Sequence, residues 1–475
     1  MTVDFAEIMR GRANDDPDGA ALVWPDRRVS FADLIDAAEN AAAWLSRHGV
    51  ASGSVVGVAI DDEANHLLIS LALLWLGAPQ VNLPAHEPPQ NQRAIAATTR
   101  ADTAIVAGAR DVPDGLAPLA PPFERLWRGR AQSASTPFRV EDDAIFRSTS
   151  GSTGIPKVFG VAAGRLSSVA ERQRRDPKQE GVLRTVSIQY DSTRLYRILS
   201  VLAGRTALFL DRLTPDSISA LSRAERISEI HMGTQRLEGL VRLPWPSPLP
   251  PEVGILVGGS RVPGALRKAT RAITDNLWVS YATSEVGYIS MATPDQHEAY
   301  PEGVGDPTES VEVRLVDADG NPVAPGEVGE ALVYKPFSPQ AYLGAPDPST
   351  NFVGEWFKPR DLLSRPEGGP LIYHGRSDDV MMMNGIKVFP SAIEDTLSAL
   401  PDVAEAVAYP IRSRVHGDIP VAAVVLRPDA ADDDPRRLLA HCTRALGVLG
   451  PRKIFVLDRI PRTSTGKPIR RELPG

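Results

Sequence analysis

Cysteine is all but missing: Cys442 is the only one in 475 residues. That excludes a disulfide framework and a thiolate metal cage. Cys442 itself lies between His441 and Thr443 in an alanine- and leucine-bearing helix pattern and reads as a core thiol, not a nucleophile. Histidine is sparse as well, eight residues scattered too widely to form a zinc motif. Nor is there an excess of positive charge: 52 Lys and Arg stand against 59 Asp and Glu, a net charge of -7. Nucleic-acid and anionic-membrane surfaces need concentrated positive charge, so neither partner is expected beyond a local groove. Long apolar runs are lacking too. The longest, Leu67 to Leu76, falls well short of the ~20 residues that span a bilayer and reads as a buried helix. Met1 to Gly19 is acidic and has no apolar stretch of the secretory kind, so a cytoplasmic protein is expected.

What is present is ordinary for a globular protein, 43% hydrophobic and 23% charged residues. The length exceeds what one core organises, which predicts two or more folding units. Ser30-Phe31-Ala32-Asp33 is a capping-box variant, and Leu34, Ala37, Ala38, Ala41 and Leu45 follow at helical spacing until Gly49. A strand, Val55 to Ile60, the Leu67 to Leu76 helix and a further strand at Gln80 to Leu83 continue the alternation of a layered α/β unit. The same grammar returns between Ile198 and Leu210, between Ile227 and Leu240, and from Gly254 to Tyr281. Short alternating strands from Val311 to Tyr342, around the turn Asp317 to Pro322, predict a β-rich unit. Gly108 to Ser135 reads as a surface excursion. The last break is Gly375 to Asp379, after which a fresh α/β pattern of about 95 residues suffices for a small domain. The expected fold class is therefore α/β: a large N-terminal domain, 1–377, of layered α/β sheets plus a β-rich subdomain, and a small α+β domain, 378–475. No internal repeat occurs.

Residues 148–157 read Ser-Thr-Ser-Gly-Ser-Thr-Gly-Ile-Pro-Lys. Glycines let a backbone approach a polyanion closely, successive N–H groups and hydroxyls can point at phosphate oxygens, and Lys157 adds a point charge. A flexible linker has the same composition, but Ala144-Ile145-Phe146 and Val158 to Val161 predict paired strands on either side, hence an ordered loop. The nucleoside triphosphatase P-loop fails, because it needs Gly directly before the lysine, Ser or Thr after it, and a following helix. Four more segments stand out downstream: Tyr281-Ala282-Thr283-Ser284-Glu285, Trp356-Phe357-Lys358-Pro359-Arg360-Asp361, Gly375-Arg376-Ser377-Asp378 and Arg462-Thr463-Ser464-Thr465-Gly466-Lys467.

In this order, from about Val29 to the C-terminus, the segments resemble the adenylate-forming superfamily: acyl- and aryl-CoA synthetases, amino-acid adenylation domains and firefly-type luciferases. The resemblance implies that Ser148, Thr149, Gly151, Ser152, Thr153, Gly154 and Lys157 cradle the phosphates of ATP. Tyr281 would offer a flat face to adenine, Ser284 a hydroxyl to the α-phosphate, and Glu285 a hard oxygen to Mg²⁺. Asp361 would accept both ribose hydroxyls, although Pro359-Arg360 replaces the family's Thr-Gly. Arg376 would bind ribose and Asp378 would be the hinge of a mobile C-terminal lid. Lys467 would reach the substrate carboxylate and α-phosphate, where one anion attacks another and charge neutralisation matters most. The segment Asp379 to Pro390 corresponds to the pantetheine tunnel, with Gly385 leaving room for the arm and the methionine triplet Met381 to Met383 packing as core.

The resemblance also places the acid pocket at Asp191, Ser192, Leu195, Leu256, Gly258, Ser280, Tyr288 and Ile289. Asp191 matches an aspartate that pairs with the α-ammonium of amino-acid substrates; it equally suits a hydroxyl-bearing acid, or simply caps the helix that follows. Ala163 and Ser260 replace a histidine and a glutamate common in the family. The expected activity is ATP- and Mg²⁺-dependent conversion of a small carboxylic acid, with a lean toward an amino or hydroxy acid, to acyl-AMP and pyrophosphate. Transfer to a phosphopantetheine thiol would follow. No carrier domain follows the lysine loop, so that thiol is expected from CoA or a separate carrier protein. The alternatives are an aryl- or fatty-acyl-CoA ligase that makes no use of Asp191, a luciferase-type oxygenase, and a non-catalytic nucleotide-binding homologue.

Overall fold

The computed structural model describes residues 1–108, 112–149, 156–174, 181–344, 351–428, 430, 434–462 and 468–475. Gly151, Ser152, Thr153, Gly154 and Lys467 lie outside them.

Ser30 caps the helix Phe31–Arg47 by accepting the Asp33 N–H at 3.1 Å, as the sequence predicts. The apolar run forms the helix Glu63–Trp75, in which every residue from His66 to Trp75 is buried. Burying one leucine side chain contributes about 1.5–3 kcal/mol, so this helix anchors the largest core cluster. Val56–Ala59, Gln80–Asn82 and Thr103–Val106 pair in parallel at the centre of a six-stranded sheet. Asp143–Thr149 joins its edge, and Lys157–Ala162 pairs antiparallel with it, so the strands predicted around the phosphate loop are present. The stretch read as a surface excursion contributes a strand, Ala117–Leu119, and a helix, Phe123–Arg128, whose Leu126 is buried.

The segment before Val29 belongs to the fold as well. The helix Phe5–Asp15 buries Phe5, Ala6 and Met9, although its mixed polarity gives little periodic signal. A second, larger sheet carries the parallel strands Gly181–Arg184, Ile227–Gly233, Gly254–Gly258 and Leu277–Thr283. It then turns antiparallel through Gly287–Ala292 into the β-rich region, which extends to Leu371–Arg376.

After the short 3₁₀ turn Ser377–Asp379 the chain enters a separate five-stranded sheet with the helices Pro390–Ser398 and Pro435–Leu446 against it. Met381 and Met383 point inward while Met382 is 41% exposed, the alternation of a strand; the triplet is two-thirds core. Asn384 and Gly385, at φ 52 and 82, form the two-residue turn between Met381–Met383 and Ile386–Val388. A Cβ at Gly385 would meet nothing within 4 Å. The turn conformation, not a lack of room, requires the glycine here. Cys442 is fully buried on its helix, and burial pushes its thiol up to about 11. The tail folds back, with Tyr409 donating to the Pro474 carbonyl at 2.6 Å. Among the described residues no helix is long and apolar enough to cross a membrane.

Candidate active site

Asp361 and Arg376 are far apart in sequence but directly opposite one another on the antiparallel strands Asp361–Ser364 and Leu371–Arg376. The Asp361 carboxylate is 6% exposed. Its Oδ2 accepts the Tyr281 hydroxyl at 2.5 Å, and its Oδ1 accepts the Tyr373 hydroxyl at 3.5 Å with Arg376 Nη1 at 3.9 Å. Burial, then the adjacent Asp361 charge, raises both phenols above their ordinary value, so both remain donors at neutral pH. Tyr281 is itself buried and its hydroxyl edge is spent on Asp361. Arg376 also pairs with Asp378 at 2.9 Å and donates to the Pro359 carbonyl at 3.2 Å, joining the strand that carries Asp361 to the turn that leads into the C-terminal sheet.

The departure at Pro359-Arg360 has a visible consequence. Arg360 adopts φ 64 where the family pattern has glycine, a conformation that disfavours an L side chain by roughly 1–2 kcal/mol. The segment is held there by backbone bonds, Ser377 N–H to Arg360 O at 2.7 Å and Lys358 N–H to Asn351 O at 2.8 Å. The left-handed conformation that glycine favours is thus adopted here by an arginine.

Four residues beyond Tyr281, Glu285 is 6% exposed, and its Oε1 accepts the Tyr342 hydroxyl at 2.6 Å. Lys157 lies over the same Tyr342 ring at 4.9 Å and donates to Asn351 Oδ1 at 3.3 Å. Tyr342 thus links the cation of the phosphate loop to the carboxylate expected to hold metal. Oε2 of Glu285 accepts no hydrogen bond among the described residues. Two buried arginines fix this segment from behind. Arg147 donates to Ser284 O at 2.6 Å, and Arg165 donates to Glu285 O and Val286 O, both at 2.6 Å. Burial, then Arg147, lowers Arg165 to about 10, which leaves it charged at neutral pH. Tyr342, Arg147 and Arg165 were not singled out from the sequence. A lone arginine in a strand or opening a helix carries no pattern, and its role emerges only when the Ser284–Val286 carbonyls face it.

Asp191 opens the helix Asp191–Leu202 but makes no cap hydrogen bond, so the capping alternative is set aside. Its Oδ2 accepts the Ser148 N–H at 2.8 Å and the Ser148 hydroxyl at 3.3 Å, and its Oδ1 lies 3.2 Å from the fully buried Arg194. The carboxylate thus tethers the strand that enters the phosphate loop. Leu195 and Ile289 are packed inside core clusters. Ser192, Gly258, Ser280 and Tyr288 are less covered, and Leu256 is 8% exposed beside them. A Cβ on Gly258 would come 2.3 Å from Ser280 Oγ, so glycine is needed for close approach there. Among the described residues no cluster of three or more His, Cys, Asp or Glu forms a metal cage. A single carboxylate next to a polyphosphate nevertheless fits Mg²⁺, which keeps waters and takes substrate oxygens.

A family model described as AMP-binding enzyme matches residues 9–343, and one described as AMP-binding enzyme C-terminal domain matches 392–467. The first match begins well before Val29, in agreement with the buried N-terminal helix. Novobiocin biosynthesis protein H of Streptomyces niveus is 27% identical over 99% of this chain and 82% of its own length. The 4-hydroxybenzoate–CoA/benzoate–CoA ligase of Rhodopseudomonas palustris is 25% identical over 98% and 92%. The fold is shared with o-succinylbenzoate CoA synthetase of Bacillus subtilis in complex with its acyl-adenylate intermediate, at TM-score 0.87 and 22% identity over 98% of this chain and 97% of that one. The chain therefore belongs to the AMP-binding enzyme family, within the adenylate-forming acyl- and aryl-CoA synthetase superfamily.

Proposed function

We propose that this enzyme activates a small carboxylic acid with ATP and Mg²⁺ and passes the acyl group to a phosphopantetheine thiol. The observation that carries the reading is one continuous line of contacts: Asp361 hydrogen-bonded to Tyr281, Glu285 four residues further along the chain hydrogen-bonded to Tyr342, and Lys157 over the Tyr342 ring. Its ends suit a ribose diol and the β,γ-phosphates respectively. A carboxylate oxygen of the acid attacks the α-phosphorus, the bond to the bridging oxygen breaks, and pyrophosphate leaves. Lys467 neutralises the two anions that meet in this step. Glu285 would hold magnesium through its unengaged oxygen, and that ion supplies charge withdrawal from the phosphate oxygens. In the second half-reaction a thiol sulfur attacks the acyl carbon and AMP departs. The lid, 378–475, turns about Asp378 to exchange Lys467 for the pantetheine arm at the Asp379 to Pro390 segment. CoA and a free-standing carrier protein present the same arm.

The sequence leans toward an amino or hydroxy acid, on the strength of Asp191. That carboxylate is already held by Ser148 at Oδ2 and paired with Arg194 at 3.2 Å, so its charge is largely balanced without an α-ammonium, although Oδ1 accepts no hydrogen bond among the described residues. We therefore favour an acid without one, as in the aryl- or alkyl-acid alternative. A panel of aryl, alkyl and amino acids, read as hydroxamates trapped from acyl-AMP by hydroxylamine, is expected to show aryl or alkyl acids as the productive class. Preferential trapping of α-amino acids would restore the ammonium role of Asp191, and no trapping with any acid would remove the ligase reading.

A further inference from the structure

The register of the parallel strands sets Arg184 beside His231, His231 beside Leu256, and Leu256 beside Trp278. Two residues further on, Gly233 is beside Gly258, which closely approaches Ser280. Along these strands Ile230, Met232, Val257 and Val279 are buried, whereas His231, Gly233, Gly258, Trp278 and Ser280 are only partly covered. Side chains two apart share a face, so Arg184 and His231 extend the face that carries Gly258 and Ser280. Tyr288 and Tyr196 close over this deeper row. Their rings are 5.1 Å apart, Tyr196 lies 4.9 Å from the Arg184 guanidinium, and the Tyr288 hydroxyl is 3.4 Å from His231 Nδ1. Tyr196 follows Ser192 by one helical turn, which places it on the same side of its helix.

Arg184 is 8% exposed, yet no carboxylate lies within ion-pair distance of it among the described residues, and its Nε has no hydrogen-bond partner. Of the other buried arginines nearby, Arg194 is matched by Asp191 and Arg197 by Glu63 at 2.9 Å, while Arg147 and Arg165 are spent on backbone carbonyls. The polar side-chain partners of Arg184 are His231, Nη1 to Nδ1 at 2.7 Å, and the Tyr288 hydroxyl. Burial, then the Arg184 charge, pushes His231 down to about 4, so at neutral pH the ring is uncharged. It accepts from Arg184 at Nδ1 and donates from Nε2 to Glu229. The imidazole therefore orients the guanidinium without neutralising it. A buried cation in this state is costly unless an anion joins it.

We infer that this anion is part of the substrate: the acid carries a second carboxylate at the end remote from the one activated, held by Arg184 with the Tyr288 hydroxyl beside it. Arginine suits the task because its planar fork binds a carboxylate through two parallel hydrogen bonds. Arg184 and Tyr288 are then specificity-determining residues, and His231 with Glu229 positions the guanidinium. The inference deepens the proposed ligase activity and rests on it.

The test is acid-dependent ATP–pyrophosphate exchange with matched pairs, adipate against hexanoate and terephthalate against benzoate. The wild type is expected to favour the diacid in at least one pair by about tenfold or more in kcat/KM, and Arg184→Met to lower that ratio by about 10²-fold, the scale of a lost charge-assisted pair. The ratio is internal to each preparation, so a smaller folded fraction does not affect it. If Arg184→Met does not fold, Tyr288→Phe removes one hydroxyl and is expected to lower the ratio about three- to tenfold. Exchange with monoacids at least as efficient as with diacids in every pair, or ratios unchanged by either variant, would overturn the inference and leave the ligase reading standing. No exchange with any acid would overturn both.

Discussion

Lys467→Ala is expected to reduce acid-dependent pyrophosphate release by about 10²–10³-fold in kcat, with little change in the KM for ATP. The step brings a carboxylate against a phosphate, and a positioned cation at developing charge contributes roughly 3–4 kcal/mol. ATP itself is held elsewhere, by Asp361 and Lys157 in the proposed arrangement, so ground-state binding should persist. The control lies within the same protein. Transfer of the acyl group from chemically prepared acyl-AMP to thiol should survive in Lys467→Ala, because in the proposed cycle the lid withdraws the lysine before that step. A comparable loss in both half-reactions would contradict the division of labour between the two lid positions.

Arg165→Met should be the most damaging change in the large domain. The guanidinium donates to two successive carbonyls at 2.6 Å, and it is buried. Its removal leaves Glu285 O and Val286 O without these donors inside the protein, at about 1–3 kcal/mol each. Relief from burying a charge offsets part of that. A net loss near 3 kcal/mol is expected in the denaturant midpoint, at unchanged slope. Because the same two bonds place Glu285, kcat/KM should also fall about 10²-fold under conditions where the variant is fully folded. A stability loss with unaltered kcat/KM would mean that Arg165 supports the fold alone.

Much of this was legible in the sequence where chemistry is local. Ser30 caps its helix because a hydroxyl three residues before Asp33 suffices, and the strands flanking the phosphate loop follow from short apolar runs on either side of it. The partnership of Asp361 with Arg376 could be anticipated only through resemblance; the cross-strand register that produces it depends on the intervening turn. Asp191 shows the limit. A motif places it at the acid, and its bonds to Ser148 and Arg194 could not be read alongside, because they arise from elements whose meeting no spacing encodes. Arg165 and Arg184 are further cases, since single arginines in sequence read as solvated charge and only burial marks them otherwise. Gly385 carries a second reason for glycine beside the one the resemblance implies, its positive φ in an Asn-Gly turn.

The central claim is that the acid's own oxygen attacks the α-phosphorus. Turnover with the preferred acid doubly labelled with ¹⁸O in its carboxylate, thiol present, followed by mass analysis of the products, tests it directly. AMP should carry one ¹⁸O atom and pyrophosphate none, because the oxygen that attacks phosphorus stays with AMP when the thiol takes the acyl carbon. Label in orthophosphate alongside ADP would contradict the account, since it would place the attack at the γ-phosphorus.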